Sequence, residues 1–354
     1  MYAQTFEIAA RHRENPNQIV SVADFELVER GVVEARAVLE DPHASLYCVD
    51  PKGRRALFVA TPREVDLHHA AFLYQAQHRH ATRAWSLSYD DFIQAASDRG
   101  ALRDNVVFLY SVGRCGSTLL SRAFHSFDEV LSLSEPDALT QLLGAGDDPE
   151  VATLLESAVR LLCKPGGRKR ASHYVIKLRA QGTKLVMPLH RLFPSSRAIF
   201  LYRNAVDVVA SFVRAFHPLP ATVHGYHEDP VRFLTRFWQS NLRHYLAAHE
   251  RGIPIRAFRY EDLVREPRAA FREIVRWCGT PHTGIEEAFR AFAEDSQEGS
   301  NLARKNLDAR PALELGSRDE LTARVRGILA DDPIINDPDL VLANTWTPDN
   351  PICL

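Results

Sequence analysis

The chain has 354 residues, of which 45% are apolar and 25% charged, and its formal net charge at pH 7 is −2. Such a composition is typical of a globular protein that forms one large α/β domain with extensions or two smaller domains. A nearly neutral chain has no global attraction for nucleic acid or anionic lipid, so we expect no nucleic-acid partner. The five cysteines are scattered without a Cys-x-x-Cys pair, which argues against a disulfide framework or a zinc ribbon.

Targeting signals are not evident. The N-terminal sequence MYAQTFEIAARHREN has no apolar signal-peptide core, and no apolar run approaches the roughly 18 residues of a membrane span. We therefore expect a cytoplasmic protein with no membrane span. Six of the 43 Lys and Arg residues are lysines, a bias that is typical of GC-rich genomes and indicates a bacterial source.

The first 100 residues differ in pattern from the rest of the chain. Residues 44–61 predict a β-hairpin around a Pro-Lys-Gly turn, residues 66–81 have a partly helical apolar pattern, and a helix is predicted to end at Gly100. We interpret residues 1–100 as an N-terminal extension that contains this hairpin and helices.

From Asn105 onward, short apolar strands alternate with helices. This pattern predicts an α/β, P-loop-type three-layer domain, with a central parallel sheet, over residues 101–310, followed by a tail (311–354) that packs on it. Ligands of such sheets bind at the carboxyl ends of the strands. The predicted strands are 106–110, 130–133, 174–178, 198–202 and 255–259. The predicted helices are 117–126, 149–162, 182–192, 206–216, 230–250, 268–277 and 285–293.

The loop after the first of these strands resembles a phosphate-binding loop. Its sequence SVGRCGST aligns with the triphosphate-binding pattern G-x-x-x-x-G-K-[ST], but Ser111 replaces the first glycine and Ser117 replaces the lysine. Gly113 and Gly116 would let the backbone approach an anion at the start of a helix.

The charged side chain of this loop is Arg114, and Ser117 and Thr118 add hydroxyl donors. This arrangement favours one phosphate in the loop with a transferring group beside it, rather than a β/γ-phosphate with a metal. A strand-to-helix turn with a glycine cap is the structural alternative.

A second segment, RAIFLYRNAVDVVASFVRAF, places Arg203 at a strand end and Ser211 eight residues later. With the loop, it resembles the sulfotransferases that use 3′-phosphoadenosine-5′-phosphosulfate (PAPS), over roughly residues 105–310. The resemblance implies that Arg203 and Ser211 hold the 3′-phosphate, which suits the bidentate fork of arginine. It implies that the 5′-phosphosulfate is held by the loop residues Gly113, Arg114, Cys115, Gly116, Ser117 and Thr118.

Two further segments extend the resemblance. FRYEDLVREPRAAFREIVRWCG resembles the family segment in which a tyrosine, here Tyr260, lies near the donor; simple packing of this ring is the alternative. DSQEGSNLARKN occupies the place of a loop that closes over the donor, which makes Ser300, Arg304 and Lys305 candidate donor contacts. It departs from the R-K-G-x-x-G form, and charged loops are commonly only solvated.

Sulfuryl transfer requires in-line positioning and neutralisation of charge on the leaving oxygen, as phosphoryl transfer does. Arg114 is the candidate cation for that oxygen. No histidine closely follows Lys177, where cytosolic members have their base. Glu135 instead lies 21 residues after Arg114, which resembles the glutamate base of the tyrosylprotein and related bacterial enzymes. The alternative for Glu135 is an acid at a helix N-terminus beside Asp137.

Lys177 ends an apolar strand and is predicted to bind the sulfonate group, with solvent exposure as the alternative. His125 is a spare candidate base. Cys115 is either a reactive thiol at a helix N-terminus or a filler of the loop. Four further histidines are interpreted as surface or packing residues: His68, His69, His78 and His80.

These patterns lead to the hypothesis of a PAPS-dependent sulfotransferase that needs no metal and transfers a sulfuryl group to a hydroxyl or amine. A magnesium-dependent P-loop kinase and a nucleotide-binding protein without catalysis are the alternatives. The acceptor stays open among small molecules, lipids, glycans and peptides, and the oligomeric state is unknown.

Overall fold

A computed structural model describes residues 1–100, 102, 105–143, 148–164, 171–221, 223–281, 284–308 and 313–348. The described strands are β1 (Tyr2–Arg11), β2 (Phe25–Glu34), β3 (Ala44–Asp50), β4 (Arg55–Ala60), β5 (Arg83–Ser88), β6 (Val106–Ser111), β7 (Val130–Ser134), β8 (His173–Lys177), β9 (Arg197–Tyr202), β10 (Ile255–Arg259) and β11 (Thr345–Trp346). None of the described helices is long and apolar enough to cross a membrane.

The helices of the described ranges are α1 (Ala35–Glu40), α2 (Leu73–His80), α3 (Tyr89–Asp98), α4 (Ser117–His125), α5 (Asp137–Thr140), α6 (Pro149–Leu162), α7 (Val186–Leu192), α8 (Ala205–Phe216), α9 (Pro230–Glu250), α10 (Tyr260–Arg265), α11 (Pro267–Cys278), α12 (Ile285–Ala288), α13 (Arg304–Asp308) and α14 (Arg318–Leu329). Single 3₁₀ segments span Val22–Asp24, Ala180–Leu185 and Phe289–Ala293.

The C-terminal part of the molecule is built on a six-stranded parallel sheet with the order β11-β10-β9-β6-β8-β7. Every residue of β6 and β7 is buried, as expected for strands covered on both faces. The predicted α/β fold with a central parallel sheet is therefore confirmed. Since β6 lies between β8 and β9, the segments that follow these three strands emerge side by side at the carboxyl edge of the sheet.

Two long helices begin where the sequence predicts because each has a strong start signal. Asp148 accepts a hydrogen bond from the backbone of Glu150 at the start of α6, and Asp229 accepts one from Arg232 at the start of α9. Each helix also has proline at its first position. The helix predicted over residues 182–192 is partly wrong, because the 3₁₀ segment Ala180–Leu185 precedes α7.

The N-terminal extension contains more β-strands than the sequence predicts. The predicted hairpin is present as β3 and β4, but it belongs to a five-stranded antiparallel sheet with the order β2-β1-β5-β4-β3. Strand β2 was not predicted, and most of its side chains, including the apolar Val28 and Val32, are exposed at the edge of the sheet. The predicted domain boundaries near 101 and 311 fall at residues outside the described ranges.

A buried ion pair attaches the N-terminal segment to the carboxyl edge of the parallel sheet. The guanidinium of Arg179 donates to both carboxylate oxygens of Asp137, at 2.5 and 2.6 Å. Arg179 also donates to the carbonyl of Asn17 at 2.7 Å, and the backbone N–H of Val20 donates to Asp137 at 3.1 Å. Burial disfavours the charged guanidinium, but attraction to Asp137 outweighs it and raises the pKa of Arg179.

Replacement of Asp137 by alanine should lower the free energy of unfolding by about 3–5 kcal/mol, because it leaves the buried Arg179 charge without its partner. Urea denaturation followed by tryptophan fluorescence would measure this change. The exposed pair between Arg36 and Glu40 supplies the control, and Glu40→Ala should have no measurable effect. Equal stability of Asp137→Ala and the wild type would contradict the role given to the buried pair.

Candidate active site

The loop between β6 and α4 has an unusual backbone. Gly113 and Gly116 have φ angles of 79° and 83°, and Arg114 between them has a φ of 54°. Left-handed backbone costs little for glycine but is strained for arginine, and such strain is concentrated at functional sites. Helix α4 then begins at Ser117 without a side-chain hydrogen bond to its cap. Its first N–H groups therefore suit an anionic ligand.

Tyr260, predicted from sequence as a donor contact, packs directly on this loop. A Cβ atom added at Gly116 would lie 2.9 Å from the Tyr260 ring, so only glycine fits there. The guanidinium of Arg203 lies 4.6 Å from the centroid of the same ring, within the range of a cation–π contact. The structure thus brings the loop, Arg203 and Tyr260 together.

These residues line a cleft of about 500 Å³, a volume within the range of small-molecule sites. We call it the large cleft. Its apolar wall includes Leu263, Val264, Pro267 and Phe292. The predicted donor contacts that line it are Arg114, Gly116, Ser117, Thr118, Arg203, Ser211, Tyr260 and Arg304.

Arg114 is a partly buried cation where the large cleft meets the small cavity described below. Its Nε donates to the hydroxyl of Ser211 at 3.1 Å, and its Nη1 donates to the side-chain oxygen of Gln297 at 3.0 Å. Among the described residues, no carboxylate lies within 4 Å of this guanidinium. Burial and the nearby charge of Arg203 lower the pKa of Arg114 to about 10. An anion bound in the cleft would supply the missing countercharge.

Arg203 also offers a hydrogen-bond donor to an anion. Its guanidinium lies 3.6 Å from the carboxylate of Asp207, and its Nη1 donates to the carbonyl of Arg114 at 3.4 Å. Its Nε is buried without a hydrogen-bond partner in the described part of the chain. A buried donor without a partner is costly, and a phosphate oxygen would satisfy it.

Glu135 and Lys177 meet in a smaller cavity of about 100 Å³ that adjoins the large cleft. Both cavities are lined by Arg114, Ser117 and Thr118. Lys177 forms a salt bridge with Glu135, and its Nζ lies 3.4 Å from the hydroxyl of Thr118. Glu135 has a φ of 58°, and its backbone N–H donates to the carbonyl of Lys177 at 2.7 Å.

The register of the sheet explains why the two residues meet. Strands β7 and β8 are parallel neighbours in which Ser134 is aligned with Lys177. Glu135 therefore leaves β7 next to the point where Lys177 ends β8. Two of the four described non-glycine residues with positive φ are Arg114 and Glu135, both proposed from sequence as catalytic groups.

Aromatic side chains form much of the wall of the small cavity. Phe72 and Tyr74 come from the N-terminal extension, and Phe212 and Phe216 come from α8. The ammonium of Lys177 lies 5.3 Å from the centroid of the Phe72 ring. The extension thus contributes directly to this cavity.

Some candidates lie outside both cavities. The hydroxyl of Ser300 is buried and donates to the carbonyl of Gln297 at 2.7 Å, so it stabilises the backbone turn that includes Gln297, a residue of the large cleft.

Cys115 is buried with its Sγ 3.2 Å from the carbonyl of Leu201, and burial raises the pKa of its thiol to about 11. This thiol is therefore not activated. Lys305 is exposed, and His125 lies 3.2 Å from the carboxylate of Asp66.

Several site residues were missed from the sequence. Arg179 stacks on the Tyr74 ring at 4.0 Å and lies 3.9 Å from Glu135. The sequence does contain a signal for Arg179. Asp137 lies two residues after Glu135, and Arg179 lies two residues after Lys177, at the ends of adjacent strands. Gln297, which accepts a hydrogen bond from Arg114, lies in the segment DSQEGSNLARKN that the sequence predicts to close over the donor, but it was not itself singled out.

In the described ranges, no group of three or more His, Cys, Asp or Glu side chains is arranged to hold a metal ion.

Residues 158–284 match the sequence model described as the sulfotransferase family. The matched range includes Arg203 and Ser211 but not the loop at residues 111–118. The match confirms the resemblance to sulfotransferases and supports sulfuryl transfer as the general chemistry. No curated protein sequence is significantly similar to the chain.

Solved sulfotransferase structures are similar to the chain at low identity. The sulfotransferase domain from the curacin biosynthetic pathway is 17% identical, with a TM-score of 0.43 and coverage of 64% of this chain and 98% of that domain. Sulfotransferase STF9 from Mycobacterium avium is 13% identical (TM-score 0.47; 68% and 79% covered). Mouse sulfotransferase SULT7A1 in complex with PAP is 14% identical (TM-score 0.40; 70% and 91% covered). At such low similarity, the side chains of this protein decide what its site can bind.

Replacement of Gly116 by alanine should lower the free energy of unfolding more than replacement of Gly279. Both glycines have positive φ, so both variants carry the cost of left-handed backbone, about 1 kcal/mol. Only the Cβ at position 116 also meets the Tyr260 ring, whereas position 279 opens to empty space. Chemical denaturation of the two variants would measure the difference, and equal destabilisation would contradict the tight packing described above.

Proposed function

We propose that the protein is a sulfotransferase that moves a sulfuryl group from PAPS to a hydroxyl or amine of an acceptor. The observation that carries this proposal is Arg114, a partly buried guanidinium without a described carboxylate partner, placed where the large cleft meets the small cavity. Burial of a charge requires compensation, and an anionic ligand at this junction would supply it. The Nε of Arg203, which is buried without a hydrogen-bond partner among the described residues, supports the same assignment.

The residues that would hold the donor fit its chemistry. The loop from Gly113 to Thr118 and the N-terminus of α4 suit the 5′-phosphosulfate, while Arg203 and Ser211 suit the 3′-phosphate. Tyr260 and the apolar wall of the large cleft offer a surface for a nucleobase, and Arg304 adds a cation at the rim. When bound, the donor supplies an activated sulfuryl group and leaves as adenosine 3′,5′-bisphosphate.

The catalytic roles follow from the positions of the charged groups. Glu135 accepts the proton of the acceptor hydroxyl or amine in the small cavity. Lys177, beside it, attracts the sulfonate oxygens, and Arg114 neutralises the negative charge that develops on the leaving oxygen. The proposed glutamate base supports a protein of the tyrosylprotein and bacterial type of sulfotransferase rather than of the cytosolic small-molecule type.

Replacement of Arg203 by methionine should weaken the binding of adenosine 3′,5′-bisphosphate roughly 10- to 100-fold, because it removes charged hydrogen bonds to one phosphate. The affinity for AMP, which lacks the 3′-phosphate, should stay unchanged. Calorimetric titration of both nucleotides would measure this difference.

Arg272→Met, which removes an exposed arginine of α11, is the matched control and should bind both nucleotides as the wild type does. An equal loss of AMP affinity in Arg203→Met would contradict the assignment of the 3′-phosphate. Tighter binding of Mg-ATP than of the bisphosphate would favour the kinase alternative.

Replacement of Glu135 by glutamine should reduce donor turnover by roughly 10²–10⁴-fold, since the amide cannot accept the proton. The affinity for adenosine 3′,5′-bisphosphate should not change. Release of the bisphosphate from PAPS, measured with a mixture of phenol, alcohol and amine acceptors, would test this.

Glu250→Gln at the exposed end of α9 is the control for the loss of a carboxylate and should turn over normally. Full activity of Glu135→Gln would assign the proton transfer to another group. Loss of bisphosphate affinity in the same variant would indicate a structural role instead.

A further inference from the structure

A separate cavity of about 300 Å³ lies between the N-terminal sheet and the parallel sheet. It shares no lining residue with the large cleft or the small cavity, and sulfuryl transfer makes no use of it. We call it the leucine cavity because its apolar wall consists mainly of Leu46, Leu67, Leu73, Leu133, Leu161 and Leu162.

A buried hydroxyl in this cavity has nothing to bind within the described residues. Thr61 is 4% exposed, and its Oγ1 makes no hydrogen bond there. Buried polar groups in folded proteins are nearly always paired, so an orphaned hydroxyl on a cavity wall indicates a ligand or water partner. This observation is independent of the charges around the cavity.

Lys164 places an ammonium at the same cavity. Its Nζ donates to the carbonyl of Asp41 at 2.7 Å, and an ammonium has three N–H donors. Burial lowers the pKa of Lys164 to about 8, since its charge is poorly solvated. A bound anion would therefore stabilise this lysine in its charged form.

The charges at the leucine cavity limit the ligand further. Arg63 and Lys164 are cationic, whereas Asp66 is the acidic side chain of the lining and lies 3.2 Å from His125. A monoanion balances this set, while a doubly charged phosphate would meet the carboxylate of Asp66. The volume is at the lower end of small-molecule sites and is smaller than that of the large cleft, so a second nucleotide does not fit.

We propose that the leucine cavity binds a small carboxylic acid with an unbranched apolar chain. The carboxylate accepts hydrogen bonds from Lys164 and Thr61, and the chain packs against the leucines. Leu133 lies in β7, two residues before Glu135, so the ligand contacts the strand that leads to the proposed base.

Calorimetric titration with octanoate tests this site without reference to activity. The wild type should bind one octanoate per chain, whereas acetate and octanol should bind much more weakly, because one lacks the chain and the other lacks the charge. Octanoate should bind equally well when the protein is saturated with adenosine 3′,5′-bisphosphate, because the two sites share no residue.

Two variants locate the carboxylate. Lys164→Met should lower octanoate affinity roughly tenfold or more by removing a charged hydrogen bond, and Thr61→Val should lower it several-fold while conserving shape. Lys52→Met, at the exposed turn between β3 and β4, should bind as the wild type does. Thermal unfolding would verify that each variant is folded.

Four results would overturn the proposal. The first is the absence of octanoate binding at millimolar concentration, which would mean that the cavity holds only water. The second is equal binding of octanol and octanoate. The third is equal octanoate binding by wild type, Lys164→Met and Thr61→Val. The fourth is competition between octanoate and the bisphosphate, which would place octanoate in the cavities of the proposed active site.

Discussion

The crowding of positive charge at the carboxyl edge of the parallel sheet is the constraint on which the site depends. Three cations there are compensated by carboxylates, in the pairs Lys177–Glu135, Arg179–Asp137 and Arg203–Asp207. Arg114 lies among them, and within the described residues it donates only to neutral oxygens; its pKa is lowered. Because a partly buried charge without a countercharge is unfavourable, this edge suits an anionic ligand.

The N-terminal extension contributes to the site rather than standing apart from it. Arg179 binds the carbonyl of Asn17, and Gln75 donates to the side chain of Asn301 at 2.7 Å. Phe72 and Tyr74 form part of the small cavity. The wall of this cavity therefore combines side chains from the extension and from the domain built on the parallel sheet.

The sequence patterns were most informative where local signals are strong. Capping residues and prolines placed α6 and α9 correctly, and the glycine loop and the spacing of Arg203 and Ser211 pointed to residues that do line one cleft. Strands β1 and β5 were missed because they pair with each other although Gln4 and Ser86, which are aligned, lie far apart in the chain. Strand β2 was missed as an exposed edge strand that pairs with β1. Ser300 was proposed from its place in a loop, but its hydroxyl binds a backbone carbonyl.

The sequence by itself determined that a strand of the parallel sheet leads through a glycine loop into a helix, since strand, glycine turn and helix start are local features. It also determined which charged residues follow the strands. Only the tertiary structure decided which charges are paired, because the partners of Lys177, Arg179 and Arg114 lie 42 to 183 residues away. Countercharge and burial depend on how distant segments pack, and no local pattern specifies them.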